Sequence, residues 1–167
     1  MQIPKILLAL PFFIASCTSN DFDPTGTYIL QRSSKTVNGE TFGYFGEIQI
    51  KQLEQNKMVL SLFVCRGAPG YCIGTIRDTL ELKNKTLKYT CSSIDEPGSI
   101  YFYFTKKGIN VIEKNADQSS FCGFGHNVHA KGFYQFKSRR TKINEDPSQD
   151  RFKVSNNEFR SALSIEN

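Results

Sequence analysis

The chain of 167 residues has no tryptophan and only two histidines, and its strand-like segments are not separated by stretches with a helical period. It lacks a Cys-x-x-Cys pair, a His-Glu-x-x-His, a Gly-x-Ser-x-Gly elbow and a glycine-rich phosphate loop. Those absences argue against a structural zinc site, a zinc protease, a serine hydrolase of the elbow type and a phosphate-cradling enzyme. His126 and His129, three apart on a strand, would point to opposite faces and make a poor ligand pair. Asp95 and Glu96 stand beside Pro97, where a turn explains them without catalysis. No catalytic residue, metal or cofactor is therefore expected. The 21 basic and 16 acidic residues give a net charge of +5, spread along the chain too evenly for a nucleic-acid partner. An uninterrupted apolar run long enough to span a bilayer is also missing. The longest, Ile6 to Ile14, falls short of the roughly 20 residues required and contains Pro11.

What is present is strand chemistry. Fourteen Phe and seven Tyr recur with Ile, Val and Thr in short alternating runs. Gly26 to Gln31 places Tyr28 and Leu30 on one face. Glu47 to Leu53 alternates Ile48 and Ile50 with polar residues, and Met58 to Cys65 is apolar on nearly both faces, as a central strand is. Further strand-like segments run from Ile73 to Leu82, with Leu80 and Leu82 as a possible separate piece, from Leu87 to Cys91, from Ile100 to Thr105, from Ile109 to Lys114 and over Phe133 to Phe136. About eight short strands joined by hairpin-like turns predict an all-β fold: a single antiparallel β-barrel, lipocalin-like, over residues 26–136. Gly26-Thr27-Tyr28 and Gly132-Phe133-Tyr134 share a spacing expected of two strands that pair to close the sheet. Residues 137–167 are polar, hold Pro147 and are expected to be mostly disordered, with a short helix over Asn157 to Ile165. The basic group Lys137, Arg139, Arg140 and Lys142 reads as a solvated charge run.

At the N-terminus Lys5 precedes the apolar run, and Ala15 and Ser16 lead into Cys17, the layout of an export signal. Ile14-Ala15-Ser16-Cys17 resembles the lipobox of bacterial lipoproteins. The resemblance implies removal of residues 1–16, acylation of Cys17, palmitate included, and a tether over residues 17–25. Because Thr18 rather than Asp follows the cysteine, it also implies the periplasmic face of the outer membrane. If Cys17 carries lipid, the four other cysteines, Cys65, Cys72, Cys91 and Cys122, form an even set in an oxidising compartment. Three pairings are open to them. Spacing favours Cys65 with Cys72, since residues 66–71 read as a hairpin tip, and Cys91 with Cys122 follows.

Two aromatic groups stand out as candidate binding residues. Phe42, Tyr44 and Phe45 lie in an expected loop, Ser33 to Gly46, either as a sticky rim or as a plug folded over the core. Tyr101, Tyr103, Thr105 and Lys106 form the second. The run Tyr101 to Gly108 is similar to the Tyr-x-x-x-Thr-Lys-Gly motif of membrane-bound C-type lysozyme inhibitors, with one extra lysine. That similarity implies contact roles for Thr105 and Lys106 and a cell-wall hydrolase as partner. The Gly-x-Tyr opening, with Cys122-Gly-Phe-Gly and Gly132-x-Tyr134 at the close, resembles small exported bacterial lipoproteins. The expected function is a monomeric binding or inhibitor lipoprotein without catalysis, on the membrane through its lipid. A carrier of a small apolar ligand inside the barrel is the alternative, and the abundant aromatics favour a filled interior instead.

Overall fold

A computed structural model gives the structure of residues 22–91, 98–115 and 121–143. Strand periodicity carries directly into burial. In β1 (Gly26–Leu30) residues 26, 28 and 30 are buried, and in β7 (Ser99–Phe104) Ile100, Phe102 and Phe104 are. The remaining strands are β2 (Ser34–Val37), β3 (Glu40–Glu54), β4 (Lys57–Gly67), β5 (Ile73–Glu81), β6 (Thr86–Thr90), β8 (Gly108–Lys114) and β9 (Gly132–Ser138).

All ladders are antiparallel. The order around the wall is β5-β4-β3-β1-β9-β8-β7-β6, with β2 as a flap on β3. Omitting that flap, eight strands follow one another around the barrel in chain order, and β1 closes on β9, the two strands that carry the Gly-x-Tyr segments, with Tyr28 opposite Phe136 and Leu30 opposite Tyr134. The wall is nearly closed. β5 and β6 flank a seam that has no ladder, bridged at its turn by Lys83 and Thr86.

Side chains fill the interior. Tyr134, Phe102, Ile48, Ile50, Met58, Leu60, Leu62 and Leu87 are each less than 2% exposed. Removing one such aliphatic side chain from water is worth about 1.5–3 kcal/mol. Two buried tyrosines still need partners for their hydroxyls: Tyr28 donates to the Pro24 carbonyl at 2.6 Å and Tyr134 to the Ala130 carbonyl at 3.0 Å. Burial pushes the Tyr28 phenol up to about 12 and raises that of Tyr134 as well.

Several expectations change. The segment Ser33 to Gly46 is a hairpin rather than a loop, because Asn38 and Gly39 both take positive φ (51° and 79°), the backbone of a tight two-residue turn. Ile73 to Glu81 is one strand. Cys91 and Cys122 form a disulfide, but Cys65 and Cys72 are free thiols. In register, Cys65 stands opposite Ile73 and the Cys72 carbonyl accepts from the Arg66 N–H, so the two cysteines are offset by one residue. The end of the expected tether is docked: the Phe22 ring meets Phe104 at 5.5 Å, and Asp23 pairs with Arg139 at 3.3 Å. Arg139 stays 66% exposed in that ion pair. Strand β9 runs to Ser138, beyond the expected boundary at 136, and Lys142 N–H donates to Gln49. Cys17 and the proposed helix over Asn157 to Ile165 lie outside the described residues.

Candidate binding surfaces

One end of the barrel is stoppered by residues 121–131. Phe121, Phe124, Val128 and Ala130 are buried there, behind a 3-10 turn at Phe121–Gly123 and the Cys91–Cys122 bridge. The wall is cut to receive them. A Cβ on Gly74 would stand 2.5 Å from the Phe124 ring, and one on Gly98 would stand 2.2 Å from that of Phe121. Glu113 extends the inward row of Ile109 and Val111, and its side chain is 1% exposed. Both carboxylate oxygens are engaged by the stopper, one by the Ala130 N–H and the other by His129 Nδ1 at 3.0 Å. A buried carboxylate held by two partners is a fastening. The two histidines sit in this irregular segment rather than on a strand. His129 is tied to Glu113, and His126 meets Asn127 at 3.0 Å.

The first aromatic group divides. Tyr44 braces the stopper, donating its hydroxyl to the Asn127 carbonyl under the Arg32 guanidinium, which lies 4.7 Å from the ring centroid. Phe42 stays 41% exposed. Phe45 lies on the outer wall with Phe63, ring centroids 6.2 Å apart, next to Ile73, which is 46% exposed across Cys65 from it. The plug anticipated for these aromatics is thus formed by other residues, with only Tyr44 supporting it.

The second group is on the far side of the barrel, since β3 and β7 are separated by β1, β9 and β8. Tyr101 and Tyr103 stack with centroids 6.0 Å apart and planes 12° from parallel, and Lys88 and Lys114 lie over the Tyr101 ring. Thr105 is consumed by its turn: its hydroxyl accepts from the Lys107 and Gly108 N–H groups and donates to the Gly108 carbonyl. Lys106 is exposed in that same turn. The two candidate groups are therefore separate surfaces.

Sequence reasoning missed Phe63, Ile73, Lys88, Ile112 and Lys114 as outward partners of these aromatics. The signal was the strand parity of each, which becomes informative only once the register is known. At the unstoppered end lies a shallow cleft of about 210 Å³ lined by Phe22, Gln52, Asn56, Leu82 and Lys85, with the Lys85 ammonium 5.2 Å from the Phe22 ring centroid. No protein-family model, curated protein or solved structure matches this chain.

Proposed function

We propose that the protein is a lipid-anchored binding module, held on the periplasmic face of the outer membrane through acylated Cys17, which meets a protein partner such as a cell-wall hydrolase and performs no catalysis. The observation that carries this reading is the apolar group of half-buried Phe45 and Phe63 and exposed Ile73 on the outer wall of β3 to β5, with exposed Phe42 nearer the flap on β3, on a barrel whose interior is filled. A filled interior offers little room to a carried ligand and leaves the outside to work. Aromatic residues clustered on a rigid sheet are favoured in the cores of protein interfaces, and a contiguous exposed apolar patch marks such a site.

The test combines an activity and a mass. Purified protein should inhibit a peptidoglycan hydrolase, and Phe42→Ala with Ile73→Ala should abolish that inhibition while leaving the melting temperature unchanged. Absence of inhibition, together with a co-purifying lipid-sized mass in native mass spectrometry, would replace the binding module with the carrier. Cys17→Ala should move the protein from the membrane pellet to the soluble fraction in high-salt buffer, which screens electrostatic attachment, and retention in the pellet at high salt would defeat the anchor.

A further inference from the structure

The outward positions of β6, β7, β8 and β9 form one continuous face. By register, Lys88, Tyr101 and Ile112 make one row, and Thr86, Tyr103, Asn110 and Phe133 the next. A third row holds Thr90, Ser99 and Lys114. Among the described residues no Asp or Glu stands at an outward position of these four strands; the sole acid within them, Glu113, faces inward. The wall across the barrel differs, mixing Glu47 and Glu81 with Lys57 and Arg77. The absence of acids is thus particular to the β6–β9 sector.

The two central lysines are held at the surface by aromatics. Lys88 Nζ lies 5.7 Å and Lys114 Nζ 5.0 Å from the Tyr101 centroid, with the Tyr103 ring stacked alongside. Ile112, 40% exposed, sits beside Tyr101. Lys106 and Lys107 add two more cations in the β7–β8 turn.

We propose that this face lies against an anionic lipid surface. Its composition selects that occupant over an acidic protein. Protein interfaces favour arginine and disfavour lysine, and no arginine occupies an outward position of these strands. Tyrosine settles at the headgroup level of a bilayer, lysine stems cover apolar surface while their ammonium groups reach the phosphates, and one exposed aliphatic side chain inserts between them. Each lysine near an anionic surface contributes about 1 kcal/mol, so Lys88, Lys106, Lys107 and Lys114 together give reversible binding that salt screens. The barrel then lies on its side, with the apolar group Phe45, Phe63 and Ile73 on the outer wall of β3 to β5 turned away from the membrane and open to a partner. The inference goes beyond the binding-module reading and does not depend on the lipid anchor.

The test uses residues 17–167 with Cys17→Ala, which keeps every described element and removes both signal and acyl chain. This protein should co-sediment with phosphatidylglycerol-containing vesicles and not with pure phosphatidylcholine vesicles. Lys88→Gln with Lys114→Gln should weaken partitioning about 25-fold, the equivalent of about 1 kcal/mol for each lysine. Lys51→Gln with Lys57→Gln, equal in charge but across the barrel, should leave it nearly unchanged. Equal loss from both pairs would reduce the effect to net charge and overturn the assignment of the face. Binding to soluble polyglutamate with no sedimentation on vesicles would overturn the lipid in favour of an acidic polypeptide. A hydrolase-inhibition result does not bear on either outcome.

Discussion

Tyr28 shows how a single buried hydroxyl ties stability to pH. Its phenol is raised from 10.0 to about 12, mainly by burial, with the Asp23 carboxylate a minor contributor. The folded state therefore holds this proton more tightly than the unfolded chain does. The associated stability is fully present below about pH 10 and is lost as pH rises towards 12. Tyr28→Phe also forfeits the bond to Pro24, at a cost of about 1 kcal/mol at neutral pH. Denaturant titrations at pH 8 and at about pH 11 should show wild type losing more stability between the two than Tyr28→Phe does. Equal losses would place the alkaline sensitivity elsewhere. Tyr28 was legible in the sequence as an inward residue, from the alternation of β1. Its acceptor was not, because Pro24 belongs to a stretch that reads as tether.

Among elements, the stopper depends on what the strands leave out. Gly74 on β5 is an inward position without a side chain, and Phe124 occupies the space. Gly74→Ala is expected to destabilise by about 1–3 kcal/mol through overpacking against a ring that has little room to move. Phe124→Ala opens a cavity of its own, and the double variant should cost less than the two single changes added together, measured by urea midpoints in a double-mutant cycle. Strict additivity would mean that ring and glycine do not share the site. The disulfide works on the same element. Its 31-residue span joins the end of β6 to the stopper, and its reduction should cost about 2–4 kcal/mol and expose residues 121–131 to protease before the strands. Unchanged cleavage after reduction would contradict that order. Strand existence could be read because alternation is local. The stopper could not, since Phe121, Phe124, Val128 and Ala130 follow no period and are buried only after eight strands have made an end for them to enter. Cys65 and Cys72, which spacing would bridge, are free thiols one residue out of direct register, an offset that depends on strand pairing and is not visible in spacing.

For the whole molecule, fold class and closure were legible, as the repeated Gly-x-Tyr at the two ends paired β1 with β9. The separation of the aromatic groups was not, because which outward residues share a face is a property of strand order. Chain order around the wall has a consequence for how such a molecule is made. Every ladder of the barrel joins neighbours along the chain except the last, and the Thr27 hydroxyl meets the Arg140 carbonyl across 113 residues. Closing so long a loop costs only slightly more entropy than closing a short one, since the cost grows with the logarithm of length. The delay is the greater burden. A chain made from its N-terminus can place β1 beside β3 early, but the other edge of β1 waits for a partner until β9 arrives. Throughout that interval the nascent sheet offers an open ribbon edge, and its protection falls to whatever shields the chain during synthesis.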